Sequence, residues 1–485
     1  EKAEVLRVSL EQDQGTNVQM MNHRCVKIGP AQAQLEVAVD DAWQRLLAPA
    51  IERDIRHELT EKAQIQALQV FARNLRSLLL QAPVPGKTIL GIDPAYRTGC
   101  KWAVVDPTGS VLEIGVFYPT PPRREVKAAQ TVLQRLVAAY GVDAIAIGNG
   151  TASRETEAVV ADFIQQSAWP SLAYTIVSEA GASVYSASAL AAAEFPDLDV
   201  SERSAISIAR RIQDPLAELV KIDPQSIGVG QYQHDLPARQ LEDSLSAVVE
   251  SAVNYVGVDL NTASAALLTY VAGINAPVAK NVVAYREANG PYNNRRQLLK
   301  VPKLGPKAFE QAAGFLRISA GANPLDATPI HPESYPLVTQ LLNHLQADLK
   351  YLGSDSLRAQ LQTTDLRQIA AALGAGLPTL KDIAEALLRP GRDPREDVPP
   401  PIFRQDILSL EAIQIGMELE GVVRNVVDFG AFVDIGVKAD GLVHISEMST
   451  RRIKHPLEIL STGDIVKVRV ITIDRGQQRI GLSMK

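Results

Sequence analysis

The sequence predicts a multidomain chain of mixed class: a helical scaffold, an α/β domain, a helical hairpin region and a small C-terminal β barrel. Three observations carry this. At 485 residues the chain is too long for one hydrophobic core. The apolar periodicity changes along it, from helix-like to alternating strand and helix, then to short helices, then to strands. Pro- and Gly-rich punctuation falls at those changes. With 46% hydrophobic residues, each part has enough apolar surface to bury.

From Leu35 to Leu80 apolar residues recur at three and four (Leu46, Leu47, Ile51, Ile55, Leu59), the spacing that gives a helix one buried stripe. Residues 1–85 are therefore expected to form a mostly helical scaffold. Because the chain opens at Glu1 inside a strand-like stretch, that scaffold is expected to be partial. Ala82-Pro-Val-Pro-Gly86 breaks the helix. In residues 86–240, strands Thr88–Asp93, Lys101–Asp106, Val111–Tyr118 and Ala144–Ile147 alternate with a helix over Arg124–Tyr140, the pattern of an α/β sandwich. After Leu241 strands stop. Residues 241–322 form short helices with tight turns, and 323–400 form a further helical region ending in Arg389-Pro-Gly-Arg-Asp-Pro-Arg-Glu-Asp-Val-Pro-Pro-Pro401, expected to be an extended connector. Residues 412–485 hold five short strands (Glu418–Val426, Phe429–Ile435, Gly441–Ile445, Ile465–Asp474, Arg479–Met484), a count that suits an OB barrel.

Composition excludes several classes. The net charge of −6 leaves no global basic field. Cys25 and Cys100 stand far apart without His neighbours at ligand spacing, which argues against a disulfide framework or a structural zinc. No apolar run reaches membrane-span length and no signal-like segment opens the chain, so a soluble cytoplasmic protein is expected, with no membrane partner, acting as a monomer.

In the barrel, Phe429-Gly-Ala-Phe432 sets two aromatics three apart. A bulge at Gly430 would turn both rings to one groove, where unpaired bases can stack. Gly421-Val-Val, Phe429-Gly-Ala-Phe-Val433 and Gly441-Leu-Val-His-Ile-Ser-Glu447, in this order, resemble the S1-type RNA-binding domain. The resemblance implies an RNA face of Phe429, Phe432 and His444. Arg424, Lys438 and Arg469 are candidates for phosphate contacts. With ten basic and nine acidic residues after Gly416, local arrangement rather than field must supply affinity.

Leu267–Arg286, turning at Ala272-Gly-Ile-Asn275, and Gln297–Leu316, turning at Val301-Pro-Lys-Leu-Gly-Pro-Lys307, look like paired helix-hairpin-helix motifs. Such hairpins present backbone N–H groups to a phosphate at a helix N-terminus. Between Gly257 and Gly321 lie eight basic and three acidic residues, a local +5. Arg295, Arg296, Lys303 and Lys307 are the candidate phosphate contacts. Asn275 and Lys303 stand where such hairpins usually carry Gly.

Leu90-Gly-Ile-Asp93-Pro-Ala-Tyr-Arg-Thr-Gly99 resembles the opening of an RNase H-like fold in its YqgF branch, which ends its first strand in an acid. Nucleases of that fold gather carboxylates around two divalent ions. Asp93 supplies one, but Asn149 follows the strand where a second acid belongs; Glu155, Glu179 and Asp214 are the substitutes in view. A neutral amide weakens the hold on a hard cation, so nuclease activity, with Mg or Mn as its cofactor, is the alternative rather than the preferred reading. No other cofactor is expected.

The blocks together, with Asn323-Pro-Leu-Asp-Ala327, His331-Pro-Glu-Ser-Tyr335 and Gly376-Leu-Pro-Thr-Leu-Lys-Asp382, resemble Tex, the family of bacterial transcription accessory proteins. Ala95 and Tyr96 depart from its pattern. The resemblance implies an elongated helical scaffold carrying nucleic-acid modules and acting near transcription. The mechanism expected from the residues is a clamp: the barrel stacks single-stranded RNA, or DNA, while the hairpins hold phosphate and a flexible connector lets the barrel move. A protein-interaction scaffold for polymerase or ribosome is the remaining alternative.

Overall fold

In the computed structural model, residues 10, 13–230, 232–405, 413–427, 429–437, 440–453, 455–474 and 479–485 are described. The chain divides into two units between Val70 and Phe71.

The first unit is helical. Asp13 caps α1 (Gln14–Cys25) by accepting from the Thr16 N–H. Helix α2 (Gln32–Ala42) runs through a π-helical turn at Trp43–Leu47 into α3 (Ala48–Leu79), whose last turns belong to the second unit. The predicted helix is present, but the predicted burial is not: Leu46, Leu47, Ile51, Ile55 and Leu59 are all exposed. Surface i,i+4 pairs such as Asp41–Arg45 and Glu58–Lys62 support these helices instead.

The second unit opens with a five-stranded sheet in the order β3-β2-β1-β4-β5. Its strands are β1 (Ile89–Asp93), β2 (Cys100–Val105), β3 (Val111–Phe117), β4 (Ala144–Gly148) and β5 (Ala173–Val177). β1, β2 and β3 pair antiparallel, whereas β4 and β5 run parallel to β1. Continuous apolar runs such as Leu90–Ile92 and Ile145–Ile147 suit strands covered on both faces. Helices α4 (Val126–Tyr140) and α5 (Ser153–Gln166) cover one face. Two short helices, α6 (Ala182–Ala187) and α7 (Ala189–Glu194), lead to α8 (Val200–Gln213) on the other face. Gly91 permits that packing, because a Cβ there would lie 2.3 Å from the Ala205 carbonyl oxygen of α8. Helix α9 (Pro215–Leu219) follows at once.

Helix α10 (Ala238–Val256) leads into the hairpin region. There α11 (Ala265–Leu268) and α12 (Ala276–Asn289) form one hairpin, and a 3-10 helix (Arg295–Lys300) with α13 (Pro306–Ala312) forms the next. Strands do not stop entirely: β6 (Val258–Asp259) and β7 (Leu316–Arg317) pair in parallel and tie the two ends of the region together. Four helices, α14 (Tyr335–His344), α15 (Asp355–Thr363), α16 (Leu366–Leu373) and α17 (Leu377–Leu388), then enclose their own core of Val338, Leu341, Leu357, Leu380 and Leu387.

The connector is not a free tether. Residues 394–397 form a capped 3-10 turn, and Arg395, only 4% exposed, pairs with Asp393 and with Asp214 at the start of α9. Further on, Arg404 exchanges both backbone hydrogen bonds with Tyr174 of β5 at 2.8 Å each. Charge and proline predicted an unpacked segment; partners distant in sequence pack it.

The chain ends in a closed barrel in the order β10-β12-β11-β8-β9. Its strands are β8 (Glu418–Val427), β9 (Gly430–Asp434), β10 (Gly441–His444), β11 (Ile465–Asp474) and β12 (Arg479–Ser483). Val423, Ala431, Val433, Val443, Val468, Val470 and Leu482 fill it.

Candidate nucleic-acid interface

Alternation along β9 places Ala431 and Val433 inside the barrel and Phe432 outside. Antiparallel pairing with β10 sets Phe432 opposite Leu442 and Gly430 opposite His444, so Phe432, Leu442 and His444 share the outer face. Phe429 stands just before β9, 51% exposed, with its carbonyl accepting from the Ile445 N–H at 2.9 Å. The two phenyl rings meet edge to face, centroids 6.3 Å apart at 87°. The predicted common face exists, but its cause differs. Phe429 lies in a turn just before Gly430, and the bulge lies in β8 between Val423 and Asn425. Gly430 serves close approach, since a Cβ there would lie 2.4 Å from the Val443 carbonyl oxygen.

His444 is exposed and hydrogen-bonds the Ser446 hydroxyl through Nδ1 at 2.9 Å, while the Ser446 N–H also points at Nδ1. Nε2 has no partner among the described residues. Arg469 is exposed and forms a surface pair with Glu418 at 2.8 Å, weak enough to exchange for a phosphate. Lys438 lies outside the described residues. Arg424 is a correction: its guanidinium donates to the buried Asp434 carboxylate through Nε at 3.2 Å and Nη2 at 2.5 Å, so it holds the barrel instead of facing a ligand. Arg451 and Arg452, not singled out from the sequence, are exposed beside Ile445 and Ser446 and line a hollow of about 360 Å³. Their only sequence signal is a pair of adjacent cations following the Gly441–Glu447 block.

Asp434 also joins the barrel to the α/β domain. Arg154 of α5 approaches it at 3.4 Å and Arg404 of the connector at 3.7 Å. Burial works to raise the Asp434 pKa, but Arg424 and Arg154 outweigh it and hold the carboxyl below the usual range.

The two hairpin turns have matching backbones. Gly273 has φ +81° and Lys303 φ +67°, so Lys303 occupies the left-handed position that glycine fills in the first turn. Asn275 caps α12 by accepting from the Val278 N–H, whereas Gly305 at the same point of the second turn has no side chain to cap α13. Lys303 and Lys307 are exposed at the second turn, and Arg296 is exposed on the 3-10 helix before it. Arg295 is a correction. It is 1% exposed and its guanidinium donates to the carbonyls of Leu316, Ile330 and Thr328 and to the Tyr335 hydroxyl. It binds this protein, not a phosphate. Lys280 and Lys300, also exposed, complete the basic surface.

In the α/β domain, the structure brings Asp93 and Glu179 together and leaves the other candidates apart. Burial raises the Asp93 pKa against a Ser204 hydrogen bond, and burial together with the nearby Asp93 charge raises that of Glu179. Asn149 accepts from the Glu179 N–H at 3.0 Å, turning its amide to the backbone. Glu155 is hydrogen-bonded by the Tyr96 hydroxyl at 2.9 Å. Asp214 is a correction: it caps α9 and pairs with Arg395. Ten residues along the chain from Ser204, which hydrogen-bonds Asp93, it stands roughly 15 Å from that serine at 1.5 Å per residue. No cluster of three or more metal-ligating side chains forms among the described residues. The donor set among the described residues does not fit the two divalent ions of the fold's nucleases.

An OB-type barrel with an outward aromatic pair, two hairpins with exposed lysines and an RNase H-like sheet define a modular nucleic-acid-binding protein. Comparison agrees region by region: residues 87–213 match the Tex protein YqgF-like domain, 253–317 the helix-hairpin-helix motif, 323–395 the HHH domain and 412–485 the S1 RNA binding domain. The third match was read from sequence only as a helical region. The chain is 52% identical over its whole length to the protein YdcI of Bacillus subtilis, spanning 68% of that protein. It is 51% identical over 91% of its length to protein tex of Bordetella pertussis and 49% over 95% to transcriptional accessory protein Tex of Neisseria gonorrhoeae, spanning 56% and 60% of them. The chain belongs to the Tex family. No helix among the described residues is long and apolar enough to cross a membrane.

Proposed function

We propose that this chain binds single-stranded RNA on the outer face of its barrel, with its hairpins holding phosphate backbone, as an accessory of transcription. One observation carries the reading: Phe429, Phe432 and His444 gather on one side of a closed barrel whose core is complete without them. Two half-exposed rings cost solvation in water and gain it back under a base. The five exposed cations Lys280, Arg296, Lys300, Lys303 and Lys307 supply a second, sequence-independent contact that single-stranded or duplex backbone could occupy. The Neisseria relative's name supports the link to transcription. The machinery it meets, polymerase or ribosome, is proposed only as a partner class. A docked barrel changes the expected clamp: the connector does not swing it, and strand and backbone contacts are held at a set separation.

The test is a titration of the chain and of Phe429→Ala/Phe432→Ala with single-stranded RNA, single-stranded DNA and duplex. Stacking is worth roughly 1–3 kcal/mol per base, so the double variant is expected to bind RNA about ten-fold or more weakly. Unchanged affinity in a variant that keeps its thermal unfolding profile would show the wrong face was chosen.

A further inference from the structure

The loop after β10 forms the hollow of about 360 Å³ together with Lys485. Two hydrogen bonds join its edge to the aromatic face. The Ile445 N–H donates to the Phe429 carbonyl at 2.9 Å, and the Ser446 hydroxyl shares a 2.9 Å hydrogen bond with His444 Nδ1. Ile445 and Ser446 both line the hollow. Because Phe432 pairs with Leu442 and Gly430 with His444, the outer surface runs in order from Phe432, past Phe429 and His444, to the hollow. The lining is cationic: Arg451, Arg452 and Lys485 contribute to it, and no Asp or Glu among the described residues does. All three are exposed, and their side chains have no hydrogen bond or ion pair among the described residues. Arg424 and Arg469 of the same barrel are, by contrast, paired with Asp434 and Glu418. Guanidinium groups without a carboxylate partner can take a phosphate on two parallel N–H donors with no existing pair to break.

We propose that the hollow is a backbone subsite of the strand held on the barrel: nucleotides stacked on Phe432 and Phe429 continue past His444, and the next phosphates settle on Arg451 and Arg452. This rests on the barrel-face reading and adds to it a path across the barrel and a contact in the loop after β10. The lining suits backbone rather than base. It offers cations and the hydroxyls of Ser446 and Thr450, and no aromatic ring among the described residues. Contacts of that kind position a strand without reading its sequence.

Titration of the full chain with short single-stranded RNA over a salt series, and with UMP and inorganic phosphate, tests it. The variants are Arg451→Ala/Arg452→Ala, Arg451→Lys/Arg452→Lys and Phe429→Ala/Phe432→Ala. Arg367→Ala/Lys381→Ala, at exposed positions of α16 and α17, removes the same charge elsewhere. The arginine-to-alanine variant is expected to bind RNA about ten-fold more weakly at low salt, with the dependence on log salt flattened by about 1.4, at about 0.7 per phosphate. The lysine variant should keep the slope, and the charge control should match the unaltered chain. Unchanged affinity and slope in the arginine variant, with the phenylalanine variant weakened, overturns the hollow and leaves the barrel face standing; if the phenylalanine variant is unchanged as well, both fall. Loss of the same size in the charge control, or UMP or phosphate binding as tightly as RNA, overturns the strand path. Should the alanine variant fail to fold, hydrogen exchange of the unaltered chain decides: RNA-dependent protection of residues 445–453 supports the subsite, and no protection at saturation overturns it.

Discussion

At the residue scale, adjacent cations have opposite fates. Arg295 and Arg296 follow one another in a basic stretch and nothing local separates them, yet Arg296 is exposed and Arg295 is sealed among three carbonyls from two later segments. Those partners lie 21 to 35 residues on, beyond any motif. Arg295→Met would leave three buried carbonyls unpaired, and breaking such a network costs about 3–5 kcal/mol. We expect a clear fall in thermal unfolding temperature and, below it, unchanged nucleic-acid affinity. A stable variant with weakened binding would restore Arg295 to the phosphate surface. Phe429, Phe432 and His444 were legible because the strand alternation and the three-block pattern constrain them twice. Arg424 was not, because its buried acid partner sits on the neighbouring strand ten positions later.

At the scale of elements, the strands of the barrel and four of the five in the sheet were readable to within a residue or two, since alternation in the barrel, apolar runs in the sheet and flanking glycine are local signals; β5 was not among them. The hairpin turns were located too, although Lys303 seemed foreign to its place. The backbone there is left-handed all the same, a conformation that costs a non-glycine residue roughly 1–2 kcal/mol. Lys303→Gly removes that strain against a somewhat larger unfolded-state entropy. Thermal stability should hold or rise slightly, while binding to duplex weakens and its dependence on log salt flattens by about one unit, as for loss of one phosphate contact. An unchanged salt slope would remove Lys303 from the interface. What stayed illegible was the stripe over Leu46–Leu59: helical spacing announces an apolar face but not what covers it.

For the whole second unit, the main departure from expectation is that the barrel is fastened. The Pro-rich composition of 390–401 described local chain stiffness and charge, but Asp214 and Tyr174, which hold Arg395 in that segment and Arg404 just beyond it, come from far earlier in the chain. Asp434 adds a switchable part. A carboxyl whose folded pKa is depressed contributes stability above its unfolded value, about 3.9, and loses it as pH falls through the lower folded value. Hydrogen exchange at residues 150–157 and 431–436 should therefore stay slow at neutral pH and quicken below about pH 4. Asp434→Asn should exchange fast throughout and show no such step; a step surviving in that variant would assign it to another acid. The Arg404–Tyr174 bridge has one more consequence. β5 is the outermost strand of its sheet, and an uncovered outermost strand is a template on which a second molecule can lengthen the sheet. By pairing its own backbone with Tyr174, the segment that leads to the barrel takes up the hydrogen-bonding groups of one position on that edge, which a second molecule would have to displace to add a strand there.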